Sequence, residues 1–320
     1  MNSTYHPVPI LHLLKHQNLF SGIEICVKIA EKYVRLNFAD EPYQDILNKL
    51  VAKSVDHVYL NEEDFMQILS AFNEHMLSGQ VSESTFNDEI RANTADALFT
   101  MSREFIKTHG VDSELVGSMT EANNSIQTLI QKAENLTSFL KKFEKECTEE
   151  FIKIGITNFL TSAVINKFPW KSQQIIEKTM LASMFCDIML EPKDFDQIIA
   201  HETAGEELSL ELQRHPLKAV NLLAHKLDLI PQETLTMIEQ HHEKPDGTGF
   251  PAGIDISRFN QLTAIFIVSQ RFTDELFIHE FNSHKYMESI INLRNSYRGT
   301  VFSNALEALV EVVNLDALKQ

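Results

Sequence analysis

Hydrophobic positions follow two different spacings along this chain. Over the first sixty residues they alternate singly with polar ones, as in Glu24-Ile25-Cys26-Val27-Lys28-Ile29 and Tyr33-Val34-Arg35-Leu36. That alternation predicts short strands within 8–14 and 23–36. Ile46, Leu47, Leu50 and Val51 then make a helical stripe over 43–55, and His57-Val58-Tyr59-Leu60 reads as a returning strand. From residue 61 onward the period is helical. The predicted helices are 61–78, 85–108, 114–147, 148–167, 171–190, 194–201, 206–228, 232–241, 258–279 and two shorter ones before Gln320.

Within 114–147, Met119, Ala122, Ile126, Leu129, Ala133, Leu136, Leu140, Phe143 and Cys147 alternate spacings of three and four. This is a heptad seam, and it has two readings. It is either a homodimer contact through residues 119–147 that relays a signal, or the buried face of a helix lying on its own domain, a face that Ile130 and Phe139 widen. Gly79, Ser82 and Ser84 mark a boundary. The expected class is α+β overall: a small α/β N-terminal domain (1–79), a helical connector carrying the seam (80–147) and an all-α C-terminal domain (148–320). The first module suits sensing, docking or inert packing, and none of its residues carries chemistry that can be named from sequence.

Composition narrows the function. At 320 residues, 43% hydrophobic and 23% charged, with 10 Gly and 9 Pro, the chain can bury large cores. A formal net charge of −17 disfavours general nucleic-acid binding, though a small phosphodiester in a local pocket is compatible with it. The cysteines, Cys26, Cys147 and Cys186, are odd in number and widely spaced, which predicts no disulfide framework and fits a reducing cytoplasm. No apolar run is long enough to span a bilayer and the first ten residues lack a leader pattern, so a cytoplasmic location is expected.

The richest stretch is His241-His242-Glu243-Lys244-Pro245-Asp246-Gly247-Thr248-Gly249-Phe250-Pro251. Two adjacent imidazoles, neutral nitrogen donors near pH 7, stand before a loop whose glycines admit positive φ and close backbone approach. This stretch resembles the signature of HD-GYP domains, a branch of the HD metal-dependent phosphohydrolases, which runs His-His-Glu, Asp-Gly, then Gly-Tyr-Pro. Other family motifs follow in order. Phe185-Cys186-Asp187-Ile188-Met189-Leu190 stands at the His-Asp helix, with Cys186 in place of His and Leu190 in place of Lys. Arg214-His215-Pro216-Leu217 supplies the His-Pro pair, and Ser269-Gln270-Arg271-Phe272-Thr273-Asp274 aligns with the late Asp segment, with Gln270 at the ligand position. Upstream, Ile154 falls at a His position and Glu150 at a Glu position.

In such proteins two metals usually share the HD aspartate. By that resemblance the first site is dismantled here, through Cys186, Ile154 and Gln270, with Glu150, Cys186 and Gln270 left as secondary candidates. The second keeps Asp187, His215, His241 and His242, a ligand set suited to one divalent transition metal (Fe, Mn, Zn or Ni); a second metal is not expected. Cys186 has two readings, a soft-metal thiolate or an inert buried thiol. Asp246, Gly247, Gly249, Phe250 and Pro251 form the corresponding ligand loop, in which Phe250 keeps an aromatic face without the hydroxyl. A rearranged site using Glu191 or Asp274 stays open. The resemblance implies cyclic di-GMP signalling: a degenerate member that binds one metal and acts through cyclic di-GMP, a related small phosphodiester or a protein partner, with weak or no hydrolysis. The alternative is an active metal-dependent cyclic di-GMP phosphodiesterase with a reduced or rearranged metal site.

Overall fold

A computed structural model describes residues 4–16, 22–36, 42–81, 87–143, 147–226 and 228–317. These residues form an α+β chain that divides into two compact units, Met1–Ser125 with Lys145–Cys147, and Ile126–Glu144 with Thr148–Gln320.

The first unit is built on β1 (Tyr5–Pro9), α1 (Ile10–Lys15), β2 (Cys26–Ile29), β3 (Lys32–Arg35), α2 (Tyr43–Val51), β4 (His57–Asn61), α3 (Glu62–Val81), α4 (Asp88–His109) and the start of α5 (Ser113–Lys132). The strands make an antiparallel sheet in the order β1-β4-β2-β3, with Tyr5 opposite Asn61 and Cys26 opposite both Arg35 and Tyr59. Val8, Val58 and Leu60 turn inward, and Phe65, Phe72 and Phe99 of α3 and α4 fill the same unit's core.

Three sequence expectations need correction. The strand expected over 8–14 ends at Pro9 and becomes α1, because Ile10 and Leu13 can be buried together only at the helical i, i+3 spacing. α3 continues through Gly79, while Ser82 and Ser84 lie outside the described residues. The seam helix is not continuous either. α5 stops at Lys132 and α6 (Leu136–Phe143) begins after Asn135, whose side chain accepts the Ser138 N–H (2.8 Å) while the Ser138 hydroxyl accepts the Asn135 N–H (3.1 Å). A reciprocal cap of this kind starts a new helix. Met119, Ala122, Ile126, Leu129, Leu136 and Leu140 of the stripe are buried within the single chain. Residues 144–146 lie outside the described part.

The second unit is all-helical among its described residues apart from one isolated bridge between Asp246 and Asp255. After α6 come α7 (Glu149–Ile165), α8 (Gln173–Phe185), α9 (Pro192–Ala204), α10 (Leu210–Gln213), α11 (His215–Leu223), α12 (Gln232–Gln240), α13 (Gln261–Ile278), α14 (Tyr286–Ser296) and α15 (Thr300–Ala317). The helix expected over 206–228 is split, since Pro216 carries no N–H and is accommodated only in the first turn of a new helix. Residue 227 is outside the described part, and α15 is longer than the short final helix expected. α13 packs against α7, α12, α14 and α15, and its residues from Thr263 to Thr273 are all buried. That central helix presents Gln270 and Arg271 to the ends of α8 and α9. No helix among the described residues is long and apolar enough to cross a membrane.

Candidate metal centre

Three helix ends deliver four side chains to a common point. Asp187 follows the end of α8, His215 opens α11, and His241 and His242 follow α12. One ligand atom from each lies within 4.8 Å of all the others, and the three histidines are buried. His215 Nε2 and His241 Nε2 are 3.2 Å apart, and each is 3.3 Å from Asp187 Oδ1.

The opposite nitrogens decide what these contacts are. His215 Nδ1 donates to the Leu212 carbonyl (2.6 Å), His241 Nδ1 to the Ile238 carbonyl (2.7 Å) and His242 Nδ1 to Glu202 Oε1 (2.6 Å). Carbonyl and carboxylate oxygens only accept, so the ring protons sit on Nδ1 and the Nε2 atoms are lone pairs. Burial first, and then the neighbouring imidazoles His241 and His215, hold His242 well below the usual histidine range. Burial likewise lowers His215, against the opposing pull of Asp187. Asp187 Oδ1 and His242 Nε2 are both buried without a hydrogen-bond partner. Three imidazole lone pairs and a carboxylate oxygen converging without protons between them repel one another unless a cation sits among them. Ligands held by a metal at about 2.1 Å lie roughly 3.0–3.4 Å from one another, which matches the contacts seen. The donor set therefore fits one divalent transition metal.

The other carboxylate oxygen is occupied. Asp187 Oδ2 accepts from Gln270 Nε2 (3.4 Å) and from the Cys186 thiol (3.5 Å). Cys186 also points its thiol at the Ser183 carbonyl, and burial, then the Asp187 carboxylate, raise it well above the usual thiol range, so in this arrangement it is a donor. Glu150, Ile154, Cys186, Leu190 and Gln270, all picked out by the sequence comparison, line one cavity together with Asp187 and His242. Lys153, Arg271 and Asp274 line it as well. Glu191, by contrast, caps α9 at the surface and is not among the cavity's lining residues.

The loop is held by a residue to which the sequence reading assigned no role. The Glu243 carboxylate, 1% exposed, accepts the backbone N–H groups of Ala252 (2.6 Å), Gly253 (3.1 Å) and Ile254 (3.1 Å). Asp246 is exposed and spends Oδ1 on the N–H and hydroxyl of Thr248, shaping the turn at Gly247, whose φ is +78°. Gly249 is required by close approach: a Cβ there would lie 2.3 Å from the Lys244 nitrogen and 2.5 Å from Glu243 Cα. Gly249→Ala is therefore expected to cost about 1–3 kcal/mol in a denaturant melt and to displace the loop. The Phe250 ring is buried. It lies flat on His242 (centroids 4.4 Å apart, 18° between planes) and packs with Leu190, Ile198, Leu208 and Leu212, followed directly by Pro251.

Glu202 and Arg271 were also missed. Glu202 takes the His242 proton on one oxygen and pairs with Arg271 through the other, and Arg271 also reaches Asp274 (3.3 Å). No sequence spacing announces a partner forty residues from His242.

No protein-family model matches the chain, and no curated protein matches it by sequence. Among solved structures it is similar to Bd1817, an HDG"Y"P protein from Bdellovibrio bacteriovorus, with a TM-score of 0.61 and 14% identity over 97% of this chain and 100% of that one. By that likeness the chain has an HD-GYP-like fold.

Proposed function

We propose that the chain is a degenerate HD-GYP-like signalling protein that holds one divalent transition metal on Asp187, His215, His241 and His242. It acts by binding cyclic di-GMP, a related phosphodiester or a protein partner, with weak or no hydrolysis. The observation that carries this reading is the split use of Asp187: Oδ1 lies 3.3 Å from Nε2 of both His215 and His241, while Oδ2 is tied to Gln270 and Cys186. A bound metal supplies Lewis acidity toward a phosphate oxygen. Two metals held on separate oxygens of Asp187 would need Oδ2, which here accepts from Gln270 and Cys186. Lys153 and Arg271 line the adjoining cavity and are the cations there that could meet a phosphodiester, beside the carboxylates of Glu150 and Asp274. In this reading the N-terminal α/β module senses or docks, the connector relays, and the all-α domain carries the metal. The three free cysteines suit a cytoplasmic setting.

A second reading, an active phosphodiesterase with a rearranged site, draws support from Glu150, a carboxylate lining the same cavity as Asp187. Elemental analysis of protein produced in Fe- and Mn-supplemented medium, followed by a cyclic di-GMP turnover assay, separates the two. The first reading expects about one metal per chain, lost in Asp187→Ala/His241→Ala, with little or no linear dinucleotide or GMP released. About two metals per chain with turnover abolished by Glu150→Gln would replace it with the second. Metal-free protein under every supplement would sink both.

A further inference from the structure

His6, on β1, alternates with Val8 on the inward face of the sheet and is 1% exposed. Both of its ring nitrogens are buried and neither has a hydrogen-bond partner. Its ring is lodged against Phe65 (4.8 Å), Phe105 (5.4 Å) and His109 (5.3 Å). A buried polar atom with no partner costs about 1–3 kcal/mol, and an imidazole always carries at least one N–H and, when neutral, one lone pair as well. The sequence spends an inward strand position on this residue where an apolar side chain would be free of that cost.

Two further ligand-type groups meet it. Glu62 is the first residue of α3 and His109 the last of α4, and one ligand atom each from His6, Glu62 and His109 lies within 4.8 Å of the others. The Thr108 hydroxyl donates to the Phe105 carbonyl (3.0 Å) and so accepts from His109 Nδ1 (2.9 Å). That leaves His109 Nε2 as a lone pair, 3.7 Å from Glu62 Oε1. The nearby Glu104 is engaged by Lys107 at 3.0 Å.

A protonated His109 paired with Glu62 would account for two of these groups but would leave both nitrogens of His6 unpartnered. We infer that His6, Glu62 and His109 form a second divalent-metal site of the two-imidazole, one-carboxylate type, selective for Zn²⁺ or a similar borderline ion and separate from the Asp187 cluster. Such a set leaves a coordination position for water or an exogenous donor. It ties together β1, the N-terminus of α3 and the C-terminus of α4, so occupancy would stiffen the first unit. Glu62 and His109 are at the surface, which allows their side chains to close by the ångström or so that coordination requires.

Zn²⁺ titration of the full chain by calorimetry tests this. In an Asp187→Ala/His241→Ala background about one equivalent should bind, and adding Glu62→Gln/His109→Gln should weaken that binding at least about 100-fold. Both added changes are at the surface, so folding is not at risk, and circular dichroism checks it. Should the background variant fail to fold, the wild-type chain is titrated instead. Glu62→Gln/His109→Gln alone should then remove one of two binding classes, with Zn²⁺-induced shifts of the His6 ring resonances disappearing. Equal Zn²⁺ stoichiometry and affinity with and without Glu62→Gln/His109→Gln would overturn the site.

Discussion

Glu243→Ala is expected to lower stability by about 4 kcal/mol, with a fall of roughly 10 °C in melting temperature. Three backbone N–H groups end on this one buried carboxylate, and hydrogen bonds to a charged acceptor contribute about 1.5–3 kcal/mol each; the lower figure applies where donors share an oxygen, as Ala252 and Gly253 do. Alanine removes the acceptor and leaves those donors facing one another around a void. Glu243→Gln keeps one carbonyl oxygen, enough for the pair on Oε1, and should lose about half as much. The effect should also reach the metal centre, because the loop that Glu243 closes seats Phe250 on His242, and the Phe250 N–H bonds the His242 carbonyl (3.2 Å). Bound metal should therefore fall in parallel. Denaturant melts in which Glu243→Ala stays within about 1 kcal/mol of wild type would show that the loop is held by other means.

Acid should destabilise the chain well above the carboxylate range, and two histidines in the first unit should account for much of it. His12 on α1 is fully buried with Nε2 unpartnered, and burial, then Lys15 and His57 nearby, push it down to about 3. His16 is held against the edge of Phe72 (4.8 Å), with Nδ1 donating to the His12 carbonyl (3.0 Å) and Nε2 at the Thr94 hydroxyl (3.3 Å). Burial dominates there too and pushes it down to about 4, with His12, His75 and Lys15 adding to the shift and the bond to His12 opposing it. Both folded values lie below the unfolded one of 6.5, so the neutral rings' contribution is complete above that pH and is lost as pH falls toward 4 and then 3. At pH 5 each ring should already have cost about 2 kcal/mol, roughly 4 kcal/mol together. Calorimetric unfolding in buffers of different ionisation enthalpy should register uptake of about two protons attributable to this pair between pH 5 and 6. His12→Gln/His16→Gln should remove that share of the uptake whatever it does to absolute stability. An unchanged pH slope in the double variant would assign the acid sensitivity to the other buried histidines.

Much of this protein is legible locally. The helices of the second unit follow from their apolar period, and the order Asp187, His215, His241, His242 is visible because each residue sits in a short motif, a Cys-Asp pair, a His-Pro pair or a His-His pair before a glycine loop. Gly249 too is a local requirement, since the backbone it must avoid lies only five and six residues away. Errors arose where two local signals competed. Interleaved apolar residues over 8–14 suit a strand or a short helix equally, and burial of Ile10 with Leu13 settles it as α1. A seam spaced for one long helix is interrupted by Asn135, whose cap with Ser138 outweighs the periodicity.

By itself, then, the sequence determined the helical period, the loop chemistry and the ordered set of metal-type side chains. Tertiary structure alone decided which oxygen of Asp187 faces the imidazoles and which is taken by Gln270, that Glu202 fixes the proton of His242, and that His6 meets His109 at all. The physical reason is range. Periodicity, capping and turn conformation are energies of neighbouring residues, whereas these pairings join groups from 40 to more than 100 positions apart, and only close packing of the helices determines their distance and their tautomer.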